Sequence, residues 1–198
     1  MINPEQITAV ILAGGRGSRM DGQDKGLVKL NGRPMIEHVI AALAPQAGTL
    51  IINANRNLDE YQALGYPVIS DELEGFQGPL AGILSALHHI HTPYLLCVPC
   101  DVPGLPANLA ERLSTALHKQ QGELAVVHDG KHLQPAFVLI PAALEDDLQA
   151  YLQRGKRKLR SWCKTHRLAL ADCSDETKCF ANINDAAGLK QFEAGHFS

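Results

Sequence analysis

The sequence predicts an α/β fold, an open, mainly parallel, Rossmann-like sheet flanked by helices. Short apolar runs that read as buried strands alternate along the chain with segments that carry apolar residues at helical spacing, the pattern of strands joined by crossover helices. Glycine or polar residues lie at or just past the ends of four of these runs, at Gly14-Gly15, Asn53, Asp71 and Asp101. In open α/β sheets ligands sit at the carboxyl ends of the strands, so four separate segments converge on one rim.

The elements follow in order. Ile7-Thr8-Ala9-Val10-Ile11 reads as a buried strand. Pro34 opens a helix, proline being suited to a first turn, with Met35, Ile36, Val39, Ile40 and Leu43 at helical spacing. Residues 49–53 read as a second buried strand, 58–64 as a short helix and 66–69 as an edge-like third strand. Gly78-Pro79 starts a helix carrying Leu80, Ile83, Leu84 and Leu87, and 94–98 is the next strand, stopped by Pro99. Residues 105–117 are expected to be helical, 124–127 and 136–140 to be strands, and 144–152 to be a helix followed by a basic helix over about 156–166. A short strand at 168–171 leads to Asn182-Ile183-Asn184-Asp185 and a last helix, with Asp185 as its N-cap. Residues 195–198 read as a frayed tail.

A chain of 198 residues suits one domain, or one domain with a small appendage, and ~150 residues already suffice to bury roughly two-thirds of the unfolded surface. The net charge of −3 argues against bulk nucleic-acid binding, which needs a broad positive surface. No apolar run approaches the ~20 residues of a membrane span, and the first residues, Met1-Ile2-Asn3-Pro4-Glu5, show no export signal. Five cysteines without a dense framework point to a reducing, cytoplasmic compartment. No long exposed apolar stripe is evident, so a monomer is expected.

The chemistry concentrates between Leu12 and Lys25. Small residues at Ala13-Gly14-Gly15 and Gly17-Ser18 let a ligand come close to the backbone, and N–H groups in such a loop form a concave anion site. Arg16, Arg19 and Lys25 add full positive charge within the same segment. Three cations beside a glycine turn repel one another unless an anion lies between them, which favours a phosphate-binding loop over a bare strand-to-helix turn. It is not a Walker loop, because Lys25 is followed by Gly26 and the glycine spacing fails. Nor is it a dinucleotide fingerprint, because Met20 stands where the third glycine belongs.

The segment resembles the nucleotidyltransferase pattern L-A-G-G-x-x-x-R-M…D-K. From Ile7 to about Phe192 the chain resembles, more closely, the molybdenum cofactor guanylyltransferases. The resemblance rests on Leu12-Ala13-Gly14-Gly15, Ser18-Arg19-Met20, Asp24-Lys25-Gly26, Gly78-Pro79-Leu80-Ala81-Gly82, Pro99-Cys100-Asp101-Val102-Pro103 and Asn182-Ile183-Asn184. It implies a single nucleotidyltransferase domain over 1–198 with the fold of the nucleotide-diphospho-sugar transferases. Within it a nucleotide-binding part would span about 7–105 and an acceptor part about 106–193. It further implies transfer of GMP from GTP to molybdenum-loaded molybdopterin with Mg²⁺, and transient contacts with cofactor-supplying proteins and recipient molybdoenzymes. The Leu-Ala-Gly-Gly form of the first motif goes with GTP in this family, whereas the cytidylyltransferase relatives carry a different one.

Each candidate residue has a role and a blander alternative. Asp101, just past the strand that Pro99 stops, is placed to hold Mg²⁺, which takes few protein ligands; position alone also allows a turn or capping aspartate. Lys25, with Arg19 as second candidate, is expected to bind the triphosphate and offset charge growing at the transition state, unless either is only a solvated loop cation. By resemblance Leu12, Ala13, Gly14 and Gly15 give backbone contacts to the nucleotide, and Asn53 and Asp71 are nucleotide-binding positions. A carboxylate such as Asp71 accepts hydrogen bonds from N–H donors of a base. Gly78 and Gly82 either allow close backbone approach or serve turn geometry. Asn182 and Asn184 match the family's pterin-side Asn-x-Asn, or cap the last helix. Lys156, Arg160, Lys164 and Arg167, with Arg157 and Lys158 beside them, form the basic face of an amphipathic helix, either merely solvated or binding the pterin phosphate.

Other signals carry less. Cys97-x-x-Cys100 lacks the second pair that a structural zinc site wants, and Cys97 lies in an apolar strand. His88, His89 and His91 fall at a helix C-terminus, where cations offset the dipole, and Trp162 reads as core. The competing functions are the same fold using CTP, a sugar-1-phosphate nucleotidyltransferase, and a non-catalytic module that binds and delivers cofactor. A pure carrier need not retain Asp101 and Lys25, and the failed fingerprint disfavours an oxidoreductase.

Overall fold

The computed structural model describes residues 2–14, 24–73, 78–181, 183 and 186–193. In chain order the elements are β1 (Ile7–Leu12), β2 (Lys29–Leu30), β3 (Arg33–Pro34), α1 (Met35–Leu43), β4 (Thr49–Asn53), α2 (Leu58–Gln62), β5 (Val68–Ile69) and α3 (Pro79–His89). They continue with β6 (Tyr94–Pro99), α4 (Leu109–Lys119), β7 (Leu124–His128), β8 (Leu133–Pro141), α5 (Glu145–Gln153), α6 (Leu159–Cys163), β9 (Leu168–Asp172) and α7 (Ala186–Glu193).

β1 lies within a seven-stranded sheet of order β5-β4-β1-β6-β8-β7-β9, with Val10 level with Ile51 on β4 and Cys97 on β6. Its side chains alternate between two cores, as the period of two requires. Ala9 and Ile11 pack with Ile36, Val39 and Leu43 of α1 and Leu109 and Leu113 of α4. Val10 packs on the other face with Leu80, Ile83 and Leu84 of α3, Leu148 of α5 and Trp162 of α6. Burial on both faces is why the strand is apolar almost throughout.

The sheet is mostly parallel. β5, β4, β1 and β6 run parallel, as do β7 and β9, while β8 is antiparallel to both β6 and β7. Only a few residues join β7 to β8, too few for a crossover and enough for a hairpin. Asp129 holds that turn. Its Oδ1 accepts the N–H groups of Lys131 (2.8 Å) and His132 (2.6 Å), and its Oδ2 accepts Gln134 Nε2 (2.7 Å). Burial by itself raises the Asp129 carboxyl's pKa, but these bonds prevail and hold it below the ordinary value.

Several expected boundaries move. The helix expected to open at Pro34 starts at Met35, because Pro34 closes the small hairpin of β2 and β3. The strand expected over 66–69 is only Val68–Ile69, and that expected over 136–140 extends to Leu133–Pro141. The helix expected from 105 starts at Leu109 and runs to Lys119. The largest correction is the basic helix over 156–166, which is helical only at Leu159–Cys163. Gly155 has φ +75°, a left-handed turn that stops α5 and delays the next helix. Arg157 and Arg160 donate to the carbonyls of Leu152 and Leu133, and Arg167 Nε to that of Gln121, so part of the basic face is spent on fastening main chain. Trp162 is buried, as expected, and its indole N–H donates to Asp147. Among the described residues no helix is long and apolar enough to cross a membrane. Asp185 and residues 195–198 lie outside the described residues.

Candidate functional site

The carboxyl ends of β1, β4 and β6 are stitched together where the glycine loop begins. The Ala13 N–H donates to the Asn53 carbonyl (2.8 Å), and the Cys100 N–H donates to the Leu12 carbonyl (3.2 Å). Leu12, Ala13 and Gly14 are thereby held between the ends of β4 and β6. A Cβ at Gly14 would stand 2.8 Å from Asn55 Nδ2 and 3.3 Å from Asn53 Oδ1, so the backbone packs directly on these two amides. Gly15 and Arg19 lie outside the described residues.

Asp101 follows β6 by two residues, and its side chain is only 8% exposed. Lys25, on a single 3₁₀ turn over Lys25–Leu27, reaches it: Nζ lies 3.0 Å from Asp101 Oδ2. The preceding Asp24 is buried. Its Oδ1 accepts the Tyr61 hydroxyl (2.5 Å) and the Gly26 N–H (3.3 Å), and its Oδ2 accepts Asn57 Nδ2 (3.3 Å) and pairs with Arg56 Nε (3.3 Å). Burial, with smaller contributions from the anionic groups around it, pushes the Tyr61 phenol well above its ordinary pKa, so the hydroxyl stays a donor.

A second cluster holds Asp71. Asn53 Nδ2 donates to its Oδ1 (3.0 Å) and Asn55 Nδ2 to its Oδ2 (2.9 Å), while the Asp71 N–H donates back to Asn55 Oδ1 (2.8 Å). The neighbouring Glu72 N–H donates to Ser85 Oγ on α3 (2.9 Å), and Glu72 Oε2 contacts His88 Nδ1 (2.7 Å). Gly82 is buried in α3 facing Asn53, whose amide occupies the space that a Cβ would take. Close approach is therefore the reason for glycine there. Gly78 differs: at φ +79°, just before α3, it serves turn geometry, with the Arg157 carbonyl 3.8 Å from where a Cβ would stand.

The C-terminal segment also reaches the rim. The Ile183 N–H donates to the Asp101 carbonyl (3.0 Å), and its side chain is buried with Leu30 and Met35. Asn182 and Asn184 flank this anchor but lie outside the described residues. Arg56, Asn57, Asn55, Asp24 and Tyr61 were not singled out by sequence reasoning as site residues. Asn55 had a usable signal, sitting two residues past Asn53 at the same strand end.

All five cysteines are unpaired, and burial pushes up the thiols of Cys97, Cys100 and Cys163, the last to about 12. Among the described residues no group of three or more His, Cys, Asp or Glu side chains could hold a metal. Asp101 is a single hard-oxygen donor beside a cation. That set fits Mg²⁺, which takes one or two carboxylates and fills its other positions with phosphate oxygens and water, and does not fit zinc.

A family model described as the MobA-like NTP transferase domain matches residues 9–170. A molybdenum cofactor guanylyltransferase of Shewanella sediminis is 49% identical over 179 residues, covering 90% of this chain and 91% of the relative. One of Cupriavidus pinatubonensis is 48% identical over 200 residues, covering 98% of this chain and all of the relative. The crystal structure of the molybdopterin-guanine dinucleotide biosynthesis protein A of Archaeoglobus fulgidus superposes with a TM-score of 0.78 at 23% identity. It covers 96% of this chain and 98% of its own. At that identity the likeness shows the fold, which is of the nucleotide-diphospho-sugar transferase type.

Proposed function

The chain belongs to the molybdenum cofactor guanylyltransferase family of MobA-like NTP transferases and is a nucleotidyltransferase, and we propose that it transfers GMP from GTP to molybdenum-loaded molybdopterin with Mg²⁺. Enzymes of this family generally use a divalent metal. The observation that carries the proposal is the 3.0 Å pair of Lys25 and Asp101, which sets a phosphate-seeking cation and a metal-seeking carboxylate side by side at the carboxyl rim of the sheet. GTP is favoured over CTP by the Leu12-Ala13-Gly14-Gly15 form of the loop and by Asp71, whose carboxylate, held by Asn53 and Asn55, can accept N–H donors of guanine.

In the reaction an oxygen of the pterin's terminal phosphate forms a bond to the α-phosphorus of GTP. The bond from that phosphorus to the bridging oxygen breaks, and pyrophosphate leaves. The attacking phosphate is already anionic, so no side chain has to take a proton from it, which accounts for the absence of a base from the proposed set. The obstacle is bringing two anions together. Asp101 would hold Mg²⁺, which when bound would supply charge neutralisation on the phosphates. Lys25, with Arg19, offsets charge on the departing pyrophosphate, and the backbone of Leu12, Ala13, Gly14 and Gly15 contacts the nucleotide.

In this reading about 7–105 form the nucleotide part and about 106–193 the acceptor part, where Asn182 and Asn184 serve the pterin. The protein acts as a cytoplasmic monomer and meets cofactor-supplying proteins and recipient molybdoenzymes transiently.

The test mixes the protein with molybdenum-loaded molybdopterin, Mg²⁺ and either GTP or CTP, and measures pyrophosphate and the dinucleotide. Release with GTP is expected. Preference for CTP overturns the base assignment, and no release with either favours a carrier. Gly82→Ala checks the Asp71 cluster. A methyl group there displaces the Asn53 amide from Asp71, and losing a hydrogen bond to a charged group costs on the order of 1.5 kcal/mol, about tenfold in affinity. The KM for GTP is expected to rise by that factor, with the far-ultraviolet spectrum unchanged.

A further inference from the structure

Lys25 rides on a turn too short to hold itself. The turn has two main-chain bonds, Leu27 N–H to the Asp24 carbonyl (3.0 Å) and Val28 N–H to the Lys25 carbonyl (3.3 Å), and such isolated 3₁₀ turns are marginal. Asp24, at its start, is the capping group, with its carboxylate bonded to the Gly26 N–H. That carboxylate is bound in turn by the Tyr61 hydroxyl, and Tyr61 is wholly buried on α2 within the core that also holds Ile36, Val98 and Cys100.

The same hydroxyl also fixes how close the turn comes to Asp101. A Cβ on Gly26 would stand 2.6 Å from the Tyr61 oxygen and 3.4 Å from Cys100 Cβ and Sγ. Gly26 is thus packed against both the hydroxyl and the residue that precedes Asp101. One rigid ring therefore touches the turn carrying Lys25 and bonds the carboxylate that caps it, while Asn57 and Arg56 hold the other oxygen of Asp24.

We infer that Tyr61, acting through Asp24, is a positioning residue that holds the Lys25 ammonium at Asp101, so that Lys25 works at its full rate in the transfer only while this hydroxyl is in place. The inference rests on the function proposed above for its kinetic consequence, but not for its structural one. A lysine side chain is flexible and has much rotamer freedom to lose. Pinning the main chain at positions 24 and 26 lowers that loss, and misplacement by about an ångström can cost about a hundredfold in rate.

The test uses Tyr61→Phe, which keeps the ring and removes the oxygen, alone and combined with Lys25→Met. The single variant is expected to lower kcat about tenfold while the KM for GTP stays within about twofold, as for an interaction made in the transition state. In the Lys25→Met background, Tyr61→Phe is expected to lower kcat no further, because the group it positions is gone. Acetic anhydride labelling of Lys25, read by peptide mass spectrometry against the other lysines, is expected to quicken about threefold in Tyr61→Phe as the amine leaves its carboxylate. Asp24→Asn, which keeps the shape and removes the charge, is expected to shift labelling in the same direction. Equal losses of kcat in both backgrounds, or unchanged labelling of Lys25, overturn the inference. If the wild-type protein transfers no GMP, the proposed function fails, and the labelling still decides whether Tyr61 holds Lys25.

Discussion

Asp101→Asn is expected to lower the rate of GMP transfer by about 10²–10³, the usual cost of removing a preorganised group that acts on transition-state charge. Asparagine keeps the shape and one carbonyl oxygen but loses the charge that draws a divalent ion. It also weakens the pair with Lys25, which stands 3.0 Å away, so the metal loses its carboxylate and the cation loses a charged partner. The fold is expected to survive, because the bond that ties Asp101 to the C-terminal segment uses its carbonyl and the Ile183 N–H, not its side chain. The measurement is pyrophosphate release at increasing Mg²⁺, alongside the melting midpoint. The Mg²⁺ needed for half-maximal rate is expected to rise, with little change in melting. A variant with wild-type rate at the same Mg²⁺ removes Asp101 from the metal site.

Why the sheet and the rim could be read from the sequence, and the supports of the rim could not, is a matter of range. Strands such as Ile7–Leu12 and Tyr94–Pro99 are apolar because helices cover both faces, and that burial is written into consecutive residues. The antiparallel course of β8 was not among the expectations, though it had a sign in the sequence. The expected strands over 124–127 and 136–140 leave a gap too short for a crossover helix, and only a hairpin fits. The hairpin of β2 and β3 had its sign in Asn31-Gly32, both at positive φ, the pair that a tight type I′ turn prefers. The basic helix misled because spacing encodes which residues could share a helical face, not whether their side chains are needed elsewhere. Arg157, Arg160 and Arg167 bind carbonyls of Leu152, Leu133 and Gln121.

At the candidate site, Gly14, Asn53, Asp71 and Asp101 could be singled out because each lies at or near a strand end, where ligands sit in open α/β sheets. Tyr61 carried no such sign. Its hydroxyl meets Asp24 across 37 residues of sequence, and an aromatic residue in a short helix reads as core, which it also is. Gly82 in a helix interior is costly, about 1 kcal/mol against alanine. The compensation, the Asn53 amide seated where a side chain would be, appears only when α3 is laid against the end of β4.

Lys25→Met separates the roles of the paired groups, because its two expected effects have opposite signs. Methionine keeps most of the stem and deletes the charge, so turnover is expected to fall by about 10²–10³ as charge on the departing pyrophosphate goes uncompensated. Metal affinity is expected to move the other way. With the ammonium in place, a divalent ion approaching Asp101 meets a cation 3.0 Å from the carboxylate oxygen, and like charges at that range repel. Without it, one cation fewer competes with the ion for the Asp101 carboxylate, so Mn²⁺ binding to the nucleotide-free protein, followed by electron paramagnetic resonance, is expected to tighten. Lys25→Arg is expected to restore only part of the rate. Its planar fork does not replace a compact ammonium on a turn where Gly26 already packs against Tyr61 and Cys100. Tighter metal binding together with slower transfer identifies Lys25 as a cation that shares the carboxylate with the metal and acts on the phosphates; a rate equal to that of the wild type removes it from the mechanism.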